Sequence, residues 1–460
     1  MPPRPDSPIP PILAAALAAV DPAAAVRRAL HRQGETLIVR DRSYDLAAFR
    51  RLIVIGAGKA GAPMAQAVAE VLGDHIDDGF VVVKYEHTLA SGQVAAPLRL
   101  VEAGHPTPDQ AGLEVGAEVL RRAEQAGPDD LVICLLSGGG SALLEALAPG
   151  LTLADLQATT DLLLASGASI RAINTLRKRL SLVKGGQLAR AIAPATCLTL
   201  VLSDVVGSPL DAIASGPTSP DPSTWAEAWA VVERYNLAGR LPAAVRQRLA
   251  AGRDGALPET PKPGDPIFAQ SQTVVVADNA IAAEAARIEA ERQGYHALIL
   301  TTFLEGEARE AAKFIVALAR EVQTHHRPLA PPACLILGGE TTVTLADCPH
   351  PGRGGRNQEL ALAAALALAG NDGVTVVSLG SDGSDGPTDA AGGIVDGGTV
   401  ARGLAVGLDA TDHLRRHDAY PFLAAAGDLL RTGPTRTNVN DLVLALVGSP
   451  HAAEFGETPT

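Results

Sequence analysis

The stretch Arg51-Leu52-Ile53-Val54-Ile55-Gly56-Ala57-Gly58-Lys59-Ala60-Gly61, continued by the Ala-rich run to Leu72, decides the fold. A short apolar run enters a glycine turn, and helical periodicity follows, which is how a parallel βαβ unit opens. The alternation then repeats. Further strands are expected at Gly79 to Val83, Leu98 to Ala103, Leu131 to Leu136 and Cys197 to Leu202, with helices at Asp109 to Gln125, Thr152 to Ser166 and Ile170 to Ile192. A second series has strands at Thr273 to Val276, His296 to Leu300, Cys334 to Leu337 and Thr375 to Leu379, with helices between them. Gly252 to Pro266, dense in Pro, Gly and charge, reads as the linker. The expected organisation is an α/β chain of two three-layer domains, 1–251 and 267–460, with largely parallel or mixed sheets around a deep interdomain cleft. In such sheets ligands collect where loops leave the carboxyl ends of strands.

Gly56 to Gly61 matches the dinucleotide fingerprint G-x-G-x-x-G, but that fingerprint also requires an acidic residue at the end of the next strand to hold the ribose. Here Phe80-Val81-Val82-Val83 runs into Lys84 instead. The backbone N–H groups at such a turn bind phosphate or carboxylate equally well, and Lys59 adds a point charge.

The whole chain is acidic: 38 Lys plus Arg against 51 Asp plus Glu among 460 residues give a net charge of −13, which argues against a coat for nucleic acid or anionic membrane. Only six residues are Lys, so a lysine inside a glycine turn stands out. Hydrophobic residues make up 47% and aromatics 3%, so the core must be built from aliphatic side chains. The four cysteines lack C-x-x-C spacing and read as reduced thiols, and no apolar run approaches the ~20 residues of a membrane span. A cytoplasmic, soluble protein is expected, with helices at Ile12 to Val20 and from Pro22.

Other loops carry chemistry. Ser137-Gly138-Gly139-Gly140-Ser141 is a second anion-cradling turn at a strand's carboxyl end. Arg356, in Gly352-Arg353-Gly354-Gly355-Arg356-Asn357, precedes a long Ala/Leu helix, where a cation opposes the helix dipole unless an anion lies between them. Asp382, Asp385 and Asp389 in Ser381-Asp382-Gly383-Ser384-Asp385-Gly386-Pro387-Thr388-Asp389 offer the oxygen ligands of a hard cation. Asp204 and Glu340 end other strands, and Asn438 and Asp441, in Thr437-Asn438-Val439-Asn440-Asp441, form a last polar cluster. His105, in Gly104-His105-Pro106, is as well suited to structure as to function. Arg177, Lys178, Arg179 and Lys184 would turn one basic face into the cleft. No Walker A loop or protein-kinase loop is present.

Taken in order, GAGKA at Gly56, GHPTPD at Gly104, LLSGGGSALL at Leu135, INTLRKRLSLVKGG at Ile173, LSDVVGSPLDAIASGPT at Leu202, GGET at Gly338, GRGGRNQELAL at Gly352, SDGSDGPTDAAGG at Ser381 and TNVNDL at Thr437 resemble the glycerate 2-kinase family, the type II glycerate kinases with a C-terminal MOFRL module. The resemblance covers nearly the whole chain. It implies a Rossmann-like N-terminal domain and ATP-dependent phosphorylation of D-glycerate at its 2-hydroxyl, giving 2-phospho-D-glycerate and ADP. It also implies Mg²⁺ or another divalent cation. On this reading Lys59 and Arg356 are catalytic, and Gly56, Gly58, Ser137, Gly138, Gly139, Gly140, Ser141 and Lys184 hold phosphates. Asp204, Glu340, Asn357, Asn438 and Asp441 line the cleft, and Asp382, Asp385 and Asp389 hold the metal. The partners are small molecules, with no nucleic acid and no membrane, and a homodimer is compatible with the sequence. The competing reading is an NAD(P)H-dependent hydroxypyruvate reductase; a third is a non-catalytic sensor of sugar phosphates.

Overall fold

The computed structural model describes residues 8–89, 94–346, 348 and 350–450. It divides into two compact units, residues 22–276 and residues 1–21 with 277–460.

The 22–276 unit is built on a six-stranded sheet: β1 Arg51–Ala57, β2 Asp78–Lys84, β3 Leu98–Ala103, β4 Asp130–Leu136, β5 Thr196–Leu202 and β6 Ser271–Ala277. Its spatial order is β3-β2-β1-β4-β5-β6, and the pairs β1/β2, β2/β3, β1/β4 and β4/β5 are parallel. Strand order therefore reverses between β1 and β4, the switch point at which open α/β sheets bind ligands. β1 and β4 are buried along almost their whole length, as strands covered on both faces must be. Helix α1, Gly61–Leu72, lays Met64, Val68 and Leu72 against the sheet. A small antiparallel sheet of His31–Gln33, Thr36–Val39 and Arg42–Asp45 completes the unit.

The other unit has a mixed sheet: β7 His296–Glu307, β8 Ala333–Thr342, β9 Val374–Gly380, β10 Gly392–Asp396, β11 Leu429–Leu430 and β12 Asp441–Val447, in the order β7-β8-β12-β9-β10-β11. Only β7/β8 is parallel; β12 runs antiparallel between β8 and β9. Helix Arg356–Leu368 is buried on nearly every face, from Asn357 to Ala365. A helix buried on nearly every face sits inside the core, so its N-terminal N–H groups cannot turn to water and must find partners in the protein.

Three expectations need correction. The segment 252–266 is not a linker between the units; it is tied into the 22–276 unit, where Thr260 Oγ1 donates to buried Asp221 at 2.8 Å and Pro258 accepts from Trp225 Nε1 at 3.0 Å. The division falls at Ala277 instead, because β6 joins the first sheet, and residues 1–21 belong with the second unit. The helix expected from Ile170 to Ile192 is two, Ile170–Leu180 and Gln187–Ile192, separated by a turn through Gly185 and Gly186, both at positive φ. The helices Ile9–Ala19 and Pro22–Ala29 form as expected. Among the described residues no single helix is long and apolar enough to cross a membrane.

Candidate active site

At the switch point the turns leaving β1 and β4 are knitted together. Lys59 N–H donates to Gly138 O at 2.9 Å, Ser137 N–H to Ala57 O at 3.1 Å, and Ala60 N–H to Ser137 Oγ at 3.1 Å. With Gly58 N–H donating to Val82 O at 3.0 Å as well, the N–H groups of the first turn are spent inside the protein, and that turn braces the second rather than cradling an anion itself. Two glycines set what can approach. A Cβ on Gly139, which sits at φ +83°, would lie 3.0 Å from the His105 ring and 3.3 Å from Lys59 Cγ; one on Gly138 would lie 2.0 Å from Asp204 Oδ2. Lys59, His105 and Asp204, from the ends of three strands, therefore surround the Ser137–Ser141 turn.

His105 is half-buried, and burial together with Lys59, Lys84, His87 and Arg177 lowers its pKa from 6.5 to about 4. It is neutral at pH 7 and can accept a hydrogen bond. Between about pH 6.5 and 4 the unfolded chain binds the proton that the folded chain refuses, so this group adds stability above pH 6.5 that is lost as pH falls toward 4. His105→Gln is expected to flatten the decline of the urea midpoint between pH 7 and pH 5. An unaltered slope would show that burial and the neighbouring cations do not hold the His105 pKa down.

Lys184 does not join the phosphate turns. It is fully buried, with Nζ donating to Glu145 Oε2 at 2.6 Å and to Leu144 O at 3.0 Å. Burial lowers its pKa and Glu145 opposes that shift. The basic helix is likewise spent inward: Lys178 pairs with Asp211 and Asp221, each at 3.1 Å, and Arg179 with Asp221 at 2.7 Å. Arg177 alone remains beside the turn, its Nη1 3.5 Å from Ser141 Oγ.

In the 277–460 unit a cavity of about 570 Å³ opens at the N-terminus of Arg356–Leu368, lined by Arg356, Asp382, Asp385, Asn438 and Asp441 among others. Asp385 accepts from the backbone N–H of Asn357 at 3.1 Å and of Gln358 at 2.8 Å, so it satisfies the buried helix end. Burial pushes its pKa up to about 6 against those donors. Arg356 makes a bidentate pair with Asp441, 2.6 and 3.0 Å, and reaches Glu340 at 2.7 Å. The anion needed beside Arg356 is thus supplied by the protein's own carboxylates. Burial works against the arginine's charge, but Asp441 and Glu340 more than offset it and raise its pKa. Asp441 itself is raised, by burial first. Asn357 is enclosed, donating to Asp441 at 2.9 Å and accepting from Ser378 Oγ at 2.6 Å. Asn438 Oδ1 accepts from the N–H of Asn440 at 3.1 Å on the cavity wall.

The three aspartates expected to share a metal are not brought together. Asp385 is committed to the helix, and exposed Asp389 pairs with Arg431 at 3.1 Å and Tyr420 at 2.6 Å, outside the cavity lining. Asp382 alone keeps a half-buried carboxylate on the cavity, steadied by Ser384 N–H at 3.0 Å. Among the described residues no group of three or more His, Cys, Asp or Glu could hold a metal on its own. A cluster not singled out from sequence lies on the same wall: buried Glu359 accepts from Arg309 at 2.7 Å and stands 2.9 Å from His417 Nδ1. His417 has no motif around it; only the fold brings it to Glu359.

Two interlocked glycine turns lie at the switch point with Lys59, Arg177 and His105 beside the second of them, and Lys84 stands where a nicotinamide dinucleotide would want a ribose-binding acid. Residues 9–250 match the domain of unknown function DUF4147, and 333–441 match the MOFRL family. The chain is 42% identical over 434 residues to a glycerate 2-kinase of Pyrococcus horikoshii, covering 94% of this chain and 95% of that one. It is 45% identical over 397 residues to a D-glycerate 2-kinase of Thermotoga maritima, covering 86% and 91%. The crystal structure of a Thermotoga maritima glycerate kinase superposes with a TM-score of 0.83 at 42% identity, covering 95% of this chain and 97% of that one. Some relatives, from Agrobacterium vitis, carry a hydroxypyruvate reductase name. The chain belongs to the glycerate kinase family.

Proposed function

We infer that the protein is a glycerate 2-kinase, which transfers the γ-phosphoryl group of ATP to the 2-hydroxyl of D-glycerate. The observation that carries this reading is the meeting of the two glycine turns at the switch point with Lys59 and a neutral His105 beside them. Phosphoryl transfer asks for positioning and for positive charge on the transferring group. The backbone N–H groups of Gly138, Gly139 and Ser141 would hold nucleotide phosphates, Gly140 N–H being given to Ser137 O at 3.2 Å, and Lys59 would neutralise charge that develops on the phosphoryl oxygens. In the transfer the 2-hydroxyl oxygen bonds to the γ-phosphorus, the bond to the β–γ bridging oxygen breaks, and ADP leaves with that electron pair. The hydroxyl proton passes to a carboxylate, for which Asp204 beside Gly138 is the candidate.

The donor set on the 277–460 cavity fits a divalent cation: the Asp382 carboxylate stands with Ser381, Ser384 and Asn438, all of which carry oxygen. One carboxylate with neutral oxygens suits an ion that keeps waters and is shared with phosphate, as Mg²⁺ is. When bound, such a cation would screen phosphate charge. Arg356 is read as the catalytic cation of this unit, released in part from Glu340 when a substrate anion competes for it. Lys84 and the absence of a ribose acid count against the reductase reading.

Purified protein with ATP, Mg²⁺ and D-glycerate should form ADP in step with loss of glycerate. With hydroxypyruvate and NADH or NADPH, absorbance at the nicotinamide band should stay constant. Nicotinamide oxidation without ATP dependence would replace the kinase reading by the reductase one.

A further inference from the structure

The stretch from Ile170 to Lys184 carries five cations, and its four buried or part-buried ones are not treated alike. Lys178, Arg179 and Lys184 each face a carboxylate from the same unit, Asp221 for the first two and Glu145 for the third. Arg177 lies among them and forms no ion pair among the described residues. Its guanidinium is largely withdrawn from water, and that burial lowers its pKa; the opposing charge that acts on it is Glu145, already bonded to Lys184. Its one side-chain hydrogen bond among the described residues is a long one to the Ser141 hydroxyl, at 3.5 Å. That hydroxyl shares a 2.7 Å hydrogen bond with Ser215 Oγ, which donates to Asn174 Oδ1 at 3.1 Å, so uncharged groups line this side of the turn. A desolvated cation without a counter-charge is costly to a fold, and here the fold supplies a carboxylate to each neighbouring cation and withholds one from Arg177.

We propose that Arg177 binds the carboxylate of the acceptor acid at the switch point, its planar fork taking both oxygens while Lys59 and the Ser137–Ser141 turn hold the phosphoryl group. The proposal deepens the glycerate kinase reading and rests on it. A guanidinium fork matches a carboxylate in two parallel hydrogen bonds, whereas the turn's N–H groups converge on a tetrahedral phosphate. The ligand class is a small 2-hydroxy carboxylate, and an acceptor whose carboxylate is replaced by a neutral amide or hydroxymethyl group lacks the recognised end.

The test compares wild type with Arg177→Met and Arg177→Lys by steady-state kinetics, titration calorimetry with D-glycerate, and thermal melting. In Arg177→Met the KM and Kd for D-glycerate should rise at least tenfold while the KM for ATP stays within twofold. Arg177→Lys, which keeps the charge without the fork, should fall between. Melting temperature should hold or rise in Arg177→Met, because an unmatched buried charge has been removed; a purely structural arginine would lower it and leave the KM alone. An unchanged glycerate KM, or a rise confined to the KM for ATP, would overturn the assignment. If wild type forms no ADP from ATP and D-glycerate, it is the functional reading that has failed, and the role of Arg177 falls with it.

Discussion

Lys59→Ala is expected to lower kcat by about 10² to 10³, equivalent to roughly 2.7 to 4 kcal/mol of transition-state stabilisation, with the thermal melt unchanged. The expectation comes from where the side chain starts. Its backbone is fixed by the hydrogen bond from its own N–H to Gly138 O, so alanine preserves the turn. The side chain passes Gly139 toward His105, and no carboxylate among the described residues forms an ion pair with it. Removing it therefore strips charge from the site without orphaning a partner. KM for ATP should rise far less than kcat falls, since backbone N–H groups still hold the phosphates. Near-wild-type turnover would remove Lys59 from the chemistry. Arg356→Ala makes the instructive contrast. It too should cost about 10²-fold or more in kcat, but it leaves buried Asp441 without its bidentate partner, so its urea midpoint should fall as well.

Lys184→Met is expected to have the largest effect on stability, about 3–5 kcal/mol, because it leaves Glu145 as a buried carboxylate with no cation. Glu145 is 1% exposed and its other oxygen already lacks a partner, so no water shell can take over. The double replacement Lys184→Met with Glu145→Leu should recover most of the loss, since two apolar side chains of similar size replace the pair. KM for ATP in the folded fraction should be unaltered. A selective rise in that KM, with a wild-type urea midpoint, would return Lys184 to the phosphate site.

The different roles of Lys59 and Lys184 show how far the sequence could be read. β1 and the helix after it are legible because strand, turn and helix are contiguous and their periodicities are local. The placement of the SGGGS turn beside the first glycine turn is legible too, given the parallel order. Lys184 is not: burial and the meeting with Glu145, 39 residues away, are set by tertiary packing, and a basic motif looks the same whether it faces a ligand or the core. β12 was missed for a similar reason. Asp441–Val447 is one short apolar run near the end of the chain, and nothing local says that it inserts antiparallel between β8 and β9. That insertion is what carries Asp441 to Arg356. The acidic loop misled in a third way. Asp382, Asp385 and Asp389 are spaced like metal ligands, but a buried helix end claims Asp385, and Arg431 with Tyr420 claims Asp389. Net charge, −13 over the chain, is sharpened by the same pairings: most cations meet carboxylates, and Lys59 and Arg177 are left beside the turns where an anion would enter.

The measurement that tests the central claim most directly couples the reaction of ATP with D-glycerate to enolase, with and without phosphoglycerate mutase. Product of a 2-kinase is an enolase substrate as it forms, so absorbance from phosphoenolpyruvate should rise at once without the mutase, whose addition can only lower it by drawing product off to the 3-phosphate. A signal that appears only when the mutase is added would mean that the 3-hydroxyl is phosphorylated, and would contradict the account.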